Sequence, residues 1–71
     1  MALELVRSGV RSFKVMGNLV ASVDVSGELF LQRVNEVREE RIGQNVIDYQ
    51  FASGALVFLT IDGSLQAHAL E

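Results

Sequence analysis

Moved 36 residues along itself without a gap, the chain lays Val10 on Val46, Phe13 on Tyr49, Val15 on Phe51, Val20 on Leu56 and Val23 on Leu59. The same shift lays Val25 on Ile61, Gly27 on Gly63, Leu29 on Leu65 and Val34 on Leu70. Matching apolar alternation is common between β-rich stretches. Turn glycines that coincide at the same shift are not, and they mark a repeat. A unit of this size cannot bury its apolar side alone and needs a neighbour stacked upon it. The chain is therefore expected to be a short array of stacked units.

The clearest local structure is the hairpin of the second unit. Asp62-Gly63 separates Ala55 to Ile61 from Ser64 to Leu70, and Asp-Gly between two β-prone runs favours a tight turn because Gly and Asp tolerate positive φ. In the first of these strands Ala55, Val57, Leu59 and Ile61 point one way and Leu56, Phe58 and Thr60 the other. Both faces are apolar, so both are expected to be covered. In the second, Leu65, Ala67 and Ala69 share one face, and Gln66, His68 and Leu70 share the other.

Each unit reads as four strands. In the first they run from Val10 to Met16, Leu19 to Val25, Glu28 to Val34 and Glu36 to Ile42, with turns at Gly17-Asn18, Ser26-Gly27 and Asn35. Glu and Arg in the last of these also favour helix, yet apolar residues at 37 and 42 alone make a poor helical stripe, and charge suits an outer edge strand. The second unit shows three strands, Val46 to Phe51, Ala55 to Ile61 and Ser64 to Leu70. Its fourth strand is absent from that end of the sequence. Leu3-Glu4-Leu5-Val6-Arg7 instead lies at the fourth-strand register ahead of the first unit, with Glu4 over Glu40 and Val6 over Ile42. The expected plan is one domain over residues 1–71: a first repeat at about 10–45 and a second at about 46–71, completed by the strand at 3–7 of a neighbouring chain.

Composition points toward assembly. Of the 71 residues, 49% are hydrophobic and none is Cys, so a small body with no disulfide must hide much apolar surface. A net charge of −3 and a pI near 5.0 argue against nucleic acid as a partner. The apolar runs are too short for a helical span and the N-terminal residues read as no signal peptide, so no membrane association and a cytoplasmic location are expected.

Two units of about four strands, each with a glycine turn before its third strand, resemble the blades of β-propellers of the WD40-like or quinoprotein-like kind. Val25-Ser26-Gly27-Glu28-Leu29 and Ile61-Asp62-Gly63-Ser64-Leu65 carry the resemblance. There is no Trp, so the Trp-Asp dipeptide of WD40 blades is missing. The resemblance implies an all-β ring of typically four to eight blades, hence a homo-oligomer of two, three or four chains, three being favoured. Subunit closure would fall to Leu3 and Leu5 on one side and Leu65 and Ala67 on the other. A small closed β-barrel that binds nucleic acid is the alternative, resting on Arg7, Arg11 and Lys14 and on Phe13 and Tyr49 as base-stacking rings.

Chemistry is sparsely represented. Asp62 is accounted for by turn formation, and Asp24 by a strand end. His68 stands alone on a polar strand face. With no phosphate loop, nucleophile–base pair or metal-spaced cluster, the chain is expected to be a non-catalytic module without a cofactor that binds a protein or a small polar ligand.

Overall fold

A computed structural model describes residues 8–36 and 38–70. Among these, every helix-or-strand element is a strand: β1 (Val10–Met16), β2 (Leu19–Asp24), β3 (Leu29–Arg33), β4 (Glu39–Gly43), β5 (Val46–Ala52), β6 (Ala55–Thr60) and β7 (Leu65–Ala69). They form two antiparallel meanders, β1-β2-β3-β4 and β5-β6-β7. Neither sheet closes, so the barrel alternative is wrong. The reason lies at the link between the sheets: after β4 the chain passes through Asn45 at φ 56°, and β5 crosses to β1 in the other layer instead of pairing with β4.

The charged stretch is a strand, as its lack of a helical stripe requires, and it holds the edge of its sheet beyond β3. It begins at Glu39 rather than Glu36, because Glu36 N–H is taken by the Arg33 carbonyl in the preceding turn. Leu3 to Arg7 lies outside the described residues.

The repeat recurs bond for bond. The β1–β2 ladder breaks register between Val10 and Ser12, and the β5–β6 ladder between Val46 and Asp48. Val25 N–H donates to Gly9 O, and Ile61 N–H to Asn45 O; Asp24 N–H donates to Glu28 O, and Thr60 N–H to Ser64 O; Val34 N–H donates to Asn18 O, and Leu70 N–H to Gly54 O. Gly27 and Gly63 share φ near 85–87°. Each second member lies 36 residues after the first. Equal spacing of bulges, turns and ladders is what a duplicated local sequence produces when each unit folds by its own rules.

The two sheets pack face to face. Cross-strand partners share a face, so Ala21, Val23 and Leu29 of the first sheet meet Val46, Tyr49, Leu56 and Phe58 of the second in one buried cluster. Leu31, Ile42, Phe51 and Leu70 fill its margin. Gly43 permits the close approach: a Cβ there would stand 2.7 Å from the Phe58 ring. Gly43→Ala is accordingly expected to cost about 1–3 kcal/mol by overpacking, measured as a shift of the urea midpoint, and to cost less in a Phe58→Leu background where the ring is gone.

Candidate assembly surface

The sandwich leaves one face of each sheet without a described layer against it. On the first sheet, the outer face carries Phe13, Val15, Val20 and Phe30 with the polar Ser22, Gln32, Glu39 and Arg41, since Phe13 pairs with Ser22, Ser22 with Phe30 and Phe30 with Arg41, and Val20 pairs with Gln32 and Gln32 with Glu39; Ser22 and Gln32 are themselves buried. On the second, it carries Asp48, Gln50, Val57, Leu59, Leu65 and Ala67. Both present exposed apolar side chains, Phe13 and Val15 on the first and Leu65 on the second. The strand β6 is thus fully buried on one side at Leu56, Phe58 and Thr60, and only half-buried on the other. The expectation that both its faces are covered fails within a single chain, because only one layer lies against it.

Repeat-equivalent residues have opposite surroundings. Leu29 is 0% exposed and Leu65 71%; Tyr49 is 6% exposed and Phe13 65%; Val46 is 1% exposed and Val10 36%. Position in the unit is the same in each pair. What differs is whether another sheet lies over it. The inner face of the first sheet corresponds to the outer face of the second, and the outer face of the first to the inner face of the second. Of the two rings offered for base stacking, Tyr49 is buried between the sheets and Phe13 is exposed.

The polar groups of β1 join the sheets. The Arg11 guanidinium donates to Val46 O at 3.3 Å, the hydroxyls of Ser12 and Tyr49 are 2.9 Å apart, and Lys14 donates to Tyr49 O. Lys14 also lies 4.9 Å from the Tyr49 ring centre and 4.0 Å from an Asp48 carboxylate oxygen. Two of the three basic residues proposed for nucleic acid are therefore engaged with the neighbouring sheet, and Arg7 lies outside the described residues.

Among the described residues the second sheet ends at β7, where Leu65 and Ala67 are exposed. Its counterpart β3 is flanked by β4. Beside β7 opens a cleft of about 520 Å³ bounded by Leu19 and Leu31 below, Glu39 and Glu40 of β4 on one side and His68 to Leu70 on the other. A strand flanking β7 would occupy this place. Leu3 and Leu5, the other proposed closure residues, lie outside the described residues.

The remaining candidates form turns. Asp24 accepts from Ser26 N–H at 2.9 Å and Glu28 N–H at 3.0 Å. Asp62 accepts from the Thr60 hydroxyl at 2.5 Å and Ser64 N–H at 3.1 Å. Different residues thus close the same turn. In the first unit the acceptor is the strand-end Asp, and in the second it is an Asp two places on, fed by Thr60. The Thr60 hydroxyl first, and Ser64 second, hold the Asp62 carboxyl below its ordinary value of 3.8. Because the folded value is depressed, the contribution of this turn to stability is complete above about pH 4 and is lost as pH falls through the lowered value. Asp62→Asn should remove that part of the acid dependence, read as a flatter thermal midpoint against pH below about 4. Among the described residues no group of three or more His, Cys, Asp or Glu side chains is placed to hold a metal, and no helix is long and apolar enough to cross a membrane.

Sequence reasoning missed the asymmetry of the faces. Its signal was present in the position of Ser12 and Lys14, polar residues on a face that an apolar pattern alone would leave open.

Comparison with protein-family models, with curated proteins and with solved structures gives no match.

Proposed function

We propose that this chain is a non-catalytic structural and interaction module that assembles with copies of itself into a ring-shaped β-propeller. The observation that carries the reading is the exchange of surroundings between equivalent residues, above all buried Leu29 against bare Leu65. One pair of faces is satisfied within the chain; its equivalents are left over, one at each end of the stack. A stack with two complementary ends continues until it closes or grows as an open filament. The edge of β7, which no described strand flanks, and the cleft beside it fit the same plan, with Leu3 to Arg7 of the next chain supplying the missing strand.

Six blades from three chains lie within the usual range for such rings. The ring would present the same turn at every blade: Val25 and Ile61, 75% and 73% exposed, each beside the carboxylate of Asp24 or Asp62. An apolar tip next to an acidic turn suits a protein segment, or a small polar ligand with donors, offered many times over.

Light scattering of the full chain tests this. A mass near three times that of one chain, or two or four times, is expected; a stable monomer at every concentration overturns the reading.

A further inference from the structure

We infer that the two outer faces are the two halves of one interface: the Val57–Leu59–Leu65 face of one copy receives the Phe13–Val15–Val20 face of the next, in the geometry by which the two sheets already pack inside a single chain. The inference rests on the ring reading and adds which residues meet. A second copy is the occupant because the chain itself contains the template. Its inner interface joins the repeat-equivalents of these same two faces, so the strand directions and backbone ladders that already pack inside the chain recur on both.

The polar positions fit as well. Lys14 donates to the Tyr49 carbonyl within the chain; Gln50 and Phe13 stand at the equivalent places, and a Gln amide can donate to the Phe13 carbonyl of the neighbour. Ser12 faces the Tyr49 hydroxyl; Asp48 and Phe13 stand there in the second interface, and Phe13 has no hydroxyl to offer. The Arg11 guanidinium donates to Val46 O within the chain; Ile47 and Val10 stand at the equivalent places, and an Ile side chain has no donor. The interface between copies is thus the inner interface less two hydrogen bonds and two cations. An interface that lacks those contacts is weaker, which makes assembly depend on concentration while the chain's own sandwich persists.

The competing arrangement is two-fold, with the Phe13 face of one copy on the Phe13 face of another. Two single-cysteine variants, Phe13→Cys and Asp48→Cys, separate the two because the chain contains no Cys of its own. A short bismaleimide is expected to join chains only when the variants are mixed. Its reach is calibrated by the Ser12→Cys/Tyr49→Cys variant, which must be bridged within one chain. Cross-linking of Phe13→Cys alone, or an oligomer that forms without mixed cross-links, overturns the face pairing while the ring reading stands. A chain that stays monomeric throughout overturns both.

A second variant needs no cysteine. Phe13→Tyr places a hydroxyl where Tyr49 has one, opposite Asp48 of the neighbour, and a hydrogen bond to a charged group should lower the concentration at which the assembly dissociates by roughly tenfold. An unchanged or raised dissociation midpoint counts against the pairing.

Discussion

Phe58→Ala should lower the unfolding free energy by about 3–5 kcal/mol, a large part of the roughly 5–15 kcal/mol that holds a small domain together. Phe58 is 4% exposed, pairs with Tyr49 across the β5–β6 ladder and rests on Gly43, so truncation leaves a void that neither sheet can collapse to fill. The adjacent residue provides the contrast. Leu59 lies on the opposite face, half-buried, with no layer above it in one chain. Dilute Leu59→Ala should lose only about 1–2 kcal/mol, since much of its surface is already hydrated. In the proposed assembly that face would be covered, and the loss should approach that of a core leucine, about 2–5 kcal/mol. Urea unfolding at two protein concentrations checks the pair: the deficit of Leu59→Ala grows with concentration, and that of Phe58→Ala is already near its full size when dilute. Equal deficits in dilute solution would mean that β6 is covered on both sides within the monomer.

Much of this architecture is legible in the sequence, and for a definite reason. Positive φ at Gly27 and Gly63 and the tight hairpins they close are local properties, so residue type alone specifies them. Edge placement of β4 is legible too, because Glu39, Glu40 and Arg41 are costly anywhere but a margin. Strand ends are less so: Val25 and Ile61 look like strand residues and sit instead at turn tips, where the carboxylates of Asp24 and Asp62 compete for the backbone donors. The pairing of faces is the least legible part, its one signal being the polar Ser12 and Lys14 on β1. In both units each face is apolar enough to be buried, and alternation gives no reason to choose one over the other. The choice is made by a few long-range contacts, Arg11 to Val46, Ser12 to Tyr49 and Lys14 to Tyr49. For the same reason Arg11 and Lys14, two members of a basic cluster that suggests nucleic acid, are found in cross-sheet bonding: charge can be counted in a sequence, but the carbonyl that receives it cannot.

Removing residues 1–7 is expected to convert the assembly to single chains while β1 to β4 remain folded. The register of the completing strand follows from the first sheet, where Leu29 pairs with Gly43, Phe30 with Arg41, Leu31 with Glu40 and Gln32 with Glu39. Carried along by the repeat, the proposed exchange would set Leu65 against Arg7, Gln66 against Leu5, Ala67 against Glu4 and His68 against Leu3 of the neighbouring chain. On that register Leu3 and Leu5 would share a face with His68 and Gln66, on the side of the cleft lined by Leu19 and Leu31, and charged Glu4 would share the face of Ala67. The equivalent residues of β4 on the Leu3 and Leu5 side are Glu39 and Arg41, so this unit replaces two charges by two leucines where a cleft must be filled. Bulk is exchanged in the same way: Gly43 makes room for Phe58, and the equivalent places hold Arg7 and Ser22, again one large residue and one small. Without the segment, β7 keeps an open edge and the cleft stays wet. Two leucines burying their side chains are worth about 1.5–3 kcal/mol each, which repeated at every subunit boundary is enough to shift association by several orders of magnitude. Leu3→Asp/Leu5→Asp should do nearly as much as the deletion, and Glu4→Gln almost nothing, with mass by light scattering as the readout. A truncated chain that still assembles at the full-length concentration would show that face stacking closes the ring unaided.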